Sequence, residues 1–361
     1  MSEEQSDPSP SAPADPTTVQ VPPRKGGALG PVLVVLALVL VGTLIAVTGL
    51  GRAVTAAPIP LTALVTVLPY LYAALLAVLF GLWALAPDRK VLPGLLATVL
   101  VLGAVLWGPA IASRGETSAG LPVKVASWNV RRLWGGPEGD EPLTCVQEVL
   151  ADIDADVISL QEVSARDVAT LSQALDLECV HTDYLGRGDP TDGGLAACVR
   201  RGAWKLHSGQ AARFVPGHRW HYVFAEFERE GRIFNLLAVH LQPYRLAAGG
   251  LAQAADVPER QGDQSAELLR RVGRFKDPTV LAGDFNSTRD AALHVALRSP
   301  LTDAFERGGS GLGASFHLFG WLPIRIDYIY VTDTFAVQES RIVPRDCSDH
   351  RPVVTDLVLR E

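Results

Sequence analysis

The sequence predicts an α/β domain with a large sheet content, carried behind three membrane-spanning helices. Two observations predict it. Residues 29–112 form three long apolar runs with almost no charge, whereas the composition from Leu121 onward is that of an ordinary globular domain. In that second part, short apolar runs that end on polar residues are interleaved with stretches of helical spacing. The length of 361 residues suits roughly two or three domains. The hydrophobic content of 48% is high for a soluble chain, and the first third accounts for the excess.

Residues 1–28 are rich in Pro, Ser and acidic side chains, the composition of a disordered tail. Leu29 to Gly51 is an unbroken apolar run, long enough to cross a bilayer as a helix and too long for a cleaved signal peptide. A second run covers Leu61 to Ala86 and a third Val91 to Ala112. Pro58 and Pro60 punctuate the first connection, and Pro87-Asp88-Arg89-Lys90 makes a tight second one. Arg24, Lys25, Arg89 and Lys90 fall on one side of the three crossings; Arg52 and Arg114 fall on the other. That asymmetry predicts a multi-pass protein of the cell membrane with a cytoplasmic N-terminus and an extracytoplasmic domain after the third crossing. No span carries an Asp, Glu, Lys, Arg or His in its interior, so the spans read as an anchor and not as a proton or ion pathway.

Residues 113–122 read as a polar linker and 123–361 as the globular domain. Val123–Val130 is an alternating strand with Asn129 near its end, Leu143–Ile153 has helical spacing, and Val157–Val163 is a strand that delivers Glu162. Arg166–Leu175 reads as a helix. Cys179–Leu185 and Leu195–Arg200 read as a strand pair across a Gly/Asp-rich turn. Trp204–Arg213, Tyr222–Glu228 and Arg232–His240 continue as strands, followed by a helix over Gln261–Phe275. Val280–Asn286 is an apolar run closing on Gly-Asp-Phe-Asn. It reads either as a buried strand presenting a carboxylate and an amide, or as a β-turn built on Asp and Asn. Ala291–Leu297 is helical, Ile326–Val331 is a strand with Asp327 near its start, and Val353–Leu359 is the last strand, just after Ser348-Asp349-His350.

From Leu121 on there are 26 Lys+Arg against 33 Asp+Glu, so this part carries the whole net charge of −7. A broad basic surface for non-specific nucleic-acid binding is therefore lacking, although a local patch can serve the same end. Arg131-Arg132-Leu133-Trp134 and His218-Arg219-Trp220-His221 could line a nucleic-acid groove, hold a phospholipid headgroup, or form solvated loops. All four cysteines, Cys145, Cys179, Cys198 and Cys347, lie in the part predicted to be exported, where disulfides are permitted in any of three connectivities. A hairpin centred near Gly188-Asp189 would set Cys179 opposite Cys198, leaving Cys145 for Cys347; four buried thiols are the other reading.

Taken in order, Ser-Trp-Asn129-Val, Leu-Gln-Glu162-Val, Val-His240-Leu, Gly-Asp284-Phe-Asn286, Ile-Asp327-Tyr-Ile and Ser-Asp349-His350 resemble the endonuclease/exonuclease/phosphatase superfamily. This is the deoxyribonuclease-I-like fold, shared with exonuclease III, neutral sphingomyelinases and inositol polyphosphate 5-phosphatases. The resemblance covers Val123 to Leu359; the spans lie outside it, although membrane-anchored bacterial members with this layout exist. It implies a four-layer sandwich of two packed mixed β-sheets flanked by helices, behind the three transmembrane helices. It implies that Glu162 is the principal metal ligand, with Asn129 beside it and Asp349 joining them. A site of this kind suits Mg²⁺, with Mn²⁺ as a substitute. Asp284 and Asn286 match the pair that positions the attacking water and contacts the phosphate or a second metal. His350 matches the catalytic histidine, Asp327 the acid that orients it and raises its pKa, and His240 a donor to a phosphate oxygen. Leu195–Arg200 departs from the Gly-x-Ala-Ile-Leu-Ser-Arg of many members at Cys198 and Val199, which bears on substrate detail and not on the catalytic set.

The resemblance implies a membrane-anchored, Mg²⁺-dependent hydrolase of phosphodiester or phosphomonoester bonds. Its partners would be the bilayer and a phosphoester substrate, either a nucleic acid or a phospholipid or inositol phosphate, with no obligate protein partner. The alternative from another class is an inactive relative serving as a membrane-tethered binding module. That reading expects ligand positions to be lost, and none is.

Overall fold

A computed structural model describes residues 29–85, 90–111, 114–131, 141–184, 193–216, 221–243, 257–345 and 347–361. The N-terminal tail, residues 87–89 of the second connection, residues 132–134, the Gly188-Asp189 turn and residues 218–220 lie outside the described residues.

The first part is helical. Helices α1 (Leu29–Ala53), α3 (Leu68–Leu85) and α4 (Val91–Ile111) contain the candidate membrane spans, apolar and long enough to cross a membrane. The second apolar run of the sequence is not one helix. It breaks at Val67 into the short α2 (Ile59–Thr66) and α3. The cause is Pro69, which has no N–H for the Val65 carbonyl and whose ring would strike it; in the first turn of a new helix it is harmless. Leu44, Leu68, Tyr72, Leu79 and Trp107 knit the helices together.

The second part is built on two six-stranded sheets. Along the chain run β1 (Gly120–Asn129), α5 (Glu141–Ile153), β2 (Val157–Ser164), α6 (Ala165–Leu175), β3 (Leu177–Asp183), β4 (Gly193–Arg200), β5 (Lys205–Arg213), β6 (His221–Arg229) and β7 (Arg232–His240). Then come α7 (Val257–Val272), β8 (Thr279–Asp284), α8 (Ala292–Leu297), β9 (Thr302–Asp303), α9 (Ala304–Gly308), β10 (Phe316–Leu318), β11 (Leu322–Ile324), β12 (Asp327–Val331), β13 (Phe335–Ile342) and β14 (Val353–Arg360). One sheet has the order β13-β14-β1-β2-β4-β3 and the other β5-β6-β7-β8-β12-β9; β10 and β11 form a separate hairpin. Both large sheets are mixed, since β1–β2 and β7–β8 run parallel among antiparallel neighbours.

Alternate residues of the central strands serve two cores. Val123 and Val125 of β1 meet Val280 and Ala282 of β8 between the sheets, while Ala126 and Trp128 pack outward on α5 and α6. Leu281 of β8 likewise packs outward, on α7 and α8. The result is four layers, helix–sheet–sheet–helix. Strands buried on both faces read as continuous apolar runs, which is why a polar residue at their ends stands out in the sequence.

β1 opens at Gly120, three residues before its alternating pattern begins, because Gly120–Pro122 already pair with β14. The linker before it is packed. The Glu116 N–H donates to the Val337 carbonyl at 2.7 Å, and its carboxylate meets Arg307 and Arg360. Both expected disulfides form. Cys179 and Cys198 are direct cross-strand partners in β3 and β4, and Cys145 of α5 is joined to Cys347. The unusual Cys198 is thus accounted for by its bridge.

The helical and sandwich parts meet at one end of the bundle. Arg52 at the end of α1 pairs with Asp290 at 2.6 Å, and the Trp107 indole N–H of α4 donates to the same carboxylate at 3.1 Å. Arg289 donates to the Leu106 carbonyl at 2.6 Å, and the Thr288 hydroxyl to the Val65 carbonyl at 3.3 Å.

Candidate active site

The central strands of both sheets finish at one edge of the sandwich. β7 ends on His240, which lies beside Asp284 at the end of parallel β8, and antiparallel β12 opens with Asp327 opposite Asp284. From the facing sheet, β1 ends on Asn129 beside Gln161 of β2. Two backbone devices aim the carboxylates. Glu162 is the extra residue of a bulge between Gln161 and Val163, with φ of 56°, so it leaves the ladder. Gly283, at φ of 155°, lets β8 pass β7 closely; a Cβ there would lie 1.9 Å from the Val239 carbonyl oxygen.

Asn129, Glu162, His240, Asp284, Asp327 and His350 are all buried, and each makes a hydrogen bond or close charge contact with another of them. The Asn129 amide N–H₂ donates to Asp284 Oδ2 at 3.0 Å and to Glu162 Oε1 at 3.3 Å. His240 Nε2 lies 3.5 Å from Asp284 Oδ2 and 4.0 Å from Glu162 Oε1. His350 Nδ1 lies 2.9 Å from Asp327 Oδ2, and its Nε2 lies 3.8 Å from Asp284 Oδ2. The Trp128 indole N–H donates to the His350 carbonyl at 2.9 Å, fixing that segment to β1.

The charges are strongly coupled. Burial pushes the Asp284 carboxyl up, and the nearby Asp327 charge adds to this; His350, Asn129 and the Asn286 N–H oppose it, leaving the group at about 7. Burial would lower the pKa of His350, but the carboxylates of Asp327 and Asp284 outweigh it and bring it to about 10. His350 is therefore an imidazolium at neutral pH, held between two acids.

Two of the sequence-predicted residues are placed differently from the rest. Asp349 sits at the rim, where its carboxylate pairs with Arg131 at 3.2 Å. Asn286 turns its side-chain amide to the Leu241 carbonyl at 2.9 Å, while its backbone N–H donates to Asp284 Oδ1 at 2.8 Å. In this arrangement Asn286 steadies Asp284.

Two residues escaped the sequence reading. The Tyr184 hydroxyl accepts from the Glu162 N–H at 3.2 Å and lies 2.7 Å from His240 Nδ1. Burial, with the Glu162 charge next, holds this phenol well above its usual range, so it keeps its proton. Donated to Nδ1, that proton leaves the one on His240 at Nε2, facing the carboxylates. The Ser315 hydroxyl accepts from the backbone N–H groups of Ile326 and Asp327 and so sets the start of β12.

The donor set suits a hard divalent cation. Asp284, Asp327 and His350 offer ligand atoms within 4.8 Å of one another, close enough to hold a metal ion. A second convergence lies at Asn129, whose N–H₂ bridges the carboxylates of Glu162 and Asp284. Two acidic oxygens meeting on one weak donor are where a cation relieves most repulsion. For Asn129 to serve as a ligand its amide must turn over, since Oδ1 here accepts from the Arg131 N–H at 3.0 Å.

The profile of the endonuclease/exonuclease/phosphatase family matches residues 126–350. No curated protein matches the sequence. Among solved structures, an endonuclease/exonuclease/phosphatase from Bacteroides vulgatus is similar at 19% identity and a TM-score of 0.56, covering 66% of this chain and 99% of its own. A mannosyl-6-phosphatase from Bacteroides thetaiotaomicron is similar at 19% identity and a TM-score of 0.51, covering 65% and 99%. The catalytic domain of human Nocturnin with bound sulfate is similar at 17% identity and a TM-score of 0.51, covering 67% and 96%. At these identities the likeness speaks for the fold.

Proposed function

The chain belongs to the endonuclease/exonuclease/phosphatase family, and from that premise we propose that it is a membrane-anchored, divalent-metal-dependent phosphoesterase. The observation that carries the proposal is the convergence of Asn129, Glu162, His240, Asp284, Asp327 and His350 in one buried cluster at the sandwich edge.

In this reading Glu162 and Asn129 would hold a Mg²⁺ or Mn²⁺ ion, with Asp349 at the rim as a further candidate ligand. The His350 ring is engaged through Nδ1 with Asp327, and in this reading it is kept for the phosphate. When bound, the cation polarises the phosphoryl group and makes water a stronger nucleophile. Asp284 takes the proton of the attacking water, and a carboxylate near 7 is well matched to that task. The Asn286 N–H and the Asn129 amide keep the carboxylate aimed. The His350 imidazolium carries the charge that builds on the phosphate oxygens, with Asp327 fixing its ring. His240, set by Tyr184, donates Nε2–H to another of those oxygens.

Membrane anchoring through α1, α3 and α4, with the N-terminus cytoplasmic and the sandwich outside, is part of the proposal. The end of α1, the end of α2 and the last turns of α4 all contact the sandwich, which supports three crossings with the domain on the side opposite the N-terminus. Two disulfides suit an oxidising compartment.

The test is hydrolysis of bis(4-nitrophenyl) phosphate by the full-length protein in nanodiscs, with and without Mg²⁺ or Mn²⁺. Metal-dependent turnover that is lost in Asp284→Asn is the expected result. A folded wild-type protein that hydrolyses no phosphoester with either metal overturns the reading and leaves the tethered binding module.

A further inference from the structure

The β10–β11 hairpin belongs to neither sheet, and its turn is Phe319-Gly320-Trp321. Phe319 is 75% exposed and Trp321 70% exposed. Among the described residues of the sandwich they are the most exposed large apolar side chains; nearly all the other exposed ones lie on α1–α4. Two bare aromatics flanking one glycine at the tip of a short hairpin mark a candidate interaction site.

The hairpin's position says which partner. On one strand, the Pro323 carbonyl accepts from the Tyr70 hydroxyl, and Tyr70 lies in the first turn of α3, a candidate membrane span. The turn therefore sits two residues from a contact with the end of a span. The body behind it is held at the same end of the bundle by Arg52, Trp107 and Leu106. On the other strand, Phe316 bridges to His350 and packs its ring 4.8 Å from the imidazole, while the Arg351 N–H donates to the Ser315 carbonyl at 2.7 Å. One small hairpin thus joins the span end to the histidine of the site.

We propose that the Phe319-Gly320-Trp321 turn enters the interface of the bilayer that holds α3 and sets the mouth of the site against the membrane surface, so that the phosphoester hydrolysed is a lipid headgroup of that leaflet. The proposal rests on the phosphoesterase reading for its substrate, and on the hairpin together with α3 as a membrane span for insertion. Trp is suited to the turn because it favours the headgroup level, with its ring in the acyl boundary and its N–H toward water. The occupant is the bilayer because the turn continues a surface already in contact with a span. A nucleic acid would have to reach a site whose rim is turned to the membrane.

The test uses full-length protein in vesicles of phosphatidylcholine with phosphatidylglycerol, phosphatidylinositol or phosphatidic acid. Insertion is read by quenching of tryptophan fluorescence with lipids brominated near the headgroup. The expected result is that Trp321→Phe removes a quenchable component; unchanged quenching places the turn outside the bilayer and overturns the proposal. Substrate class is read as the ratio of headgroup release to bis(4-nitrophenyl) phosphate hydrolysis. In Phe319→Ser/Trp321→Ser this ratio is expected to fall about tenfold or more, since two buried aromatics are lost from the interface. Cleavage of a DNA or RNA oligonucleotide in preference to every lipid overturns the substrate assignment. If the wild type hydrolyses nothing, the phosphoesterase reading has failed, and quenching still decides where the turn lies.

Discussion

Replacing Asp327 by Asn isolates the charge on which His350 depends. The carboxamide keeps an acceptor for the Nδ1–H, now 2.9 Å from Oδ2, so the ring can hold its orientation while the negative charge is removed. In the wild type, burial works to lower the His350 pKa and the Asp327 and Asp284 carboxylates raise it to about 10. Loss of an opposite charge this close lowers a pKa by about 1–3, and a drop of ~2 puts the variant near ~8. If the imidazolium meets the phosphate, about nine-tenths of wild-type sites and about one-tenth of variant sites are active at pH 9, a loss of about tenfold; at pH ~7.5 most His350 is protonated and most Asp284 ionised in both proteins, and the rates lie within about twofold. The sign follows from a folded pKa above the ordinary value of 6.5: the protonated site is complete at low pH and is lost as pH rises through about 10. Stability follows the same sign, so the wild-type melting temperature should fall between pH 6.5 and 10, and fall less in Asp327→Asn. The assay is Mg²⁺-saturated hydrolysis of bis(4-nitrophenyl) phosphate from pH 6 to 10 in nanodiscs. A loss of equal size at every pH would refute the charge argument and leave Asp327 with orientation alone.

Three further outcomes are expected. Asp284 keeps its proton below about 7, because burial and Asp327 raise it, so Mg²⁺ binding should release up to about one proton at pH 6 and almost none at pH 8.5; calorimetry in buffers of different ionisation enthalpy measures this. Glu162→Gln should weaken metal binding so that activity partly returns at high Mg²⁺, whereas Asp284→Asn should stay inactive at any metal concentration, as metal titrations of both variants will show. Cys347 lies three residues before His350, so Cys145→Ser/Cys347→Ser should lower kcat, while Cys179→Ser/Cys198→Ser should leave kcat alone and cost about 3 kcal/mol of stability, read from activity and melting curves side by side.

His240, Asp284 and Asp327 were legible in the sequence because each terminates or opens a run buried on both faces, where any polar residue needs a reason. Glu162 was legible as an acid near a strand end, but the strand continues to Ser164 and the bulge that aims Glu162 leaves no compositional trace. Tyr184 was hidden because an aromatic at the end of an apolar strand is ordinary. Its role arises only when β3 and β7, from opposite sheets, bring it to His240. β13 was missed because a bulge between Val337 and Glu339 interrupts its alternation and Glu339 is exposed. The break in the second apolar run was written in Pro69, but a proline inside a long apolar run does not by itself say whether the helix bends or stops. Arg52 read as a topology signal and is in fact the partner of a buried acid 238 residues away, a pairing no local pattern encodes.

The loop after β8 ties the chemistry to the anchor. Asp284 faces the site with the Asn286 N–H steadying it, and just beyond Asn286 the residues Thr288, Arg289 and Asp290 grip α2, α4 and α1. Asp290 is buried, and its carboxylate takes Arg52 and Trp107 of the helices as partners beside Arg289, so pulling the sandwich off the helices would break both of those contacts. The connection from α4 to β1 is also packed against β13 through Glu116. If α1, α3 and α4 span a membrane, a domain held at both points would keep its active-site edge at one height relative to the spans. A soluble substrate gains nothing from that constraint. A headgroup that arrives only by diffusion in the plane of the membrane does, because every encounter then meets Asp284 and His350 in the same orientation.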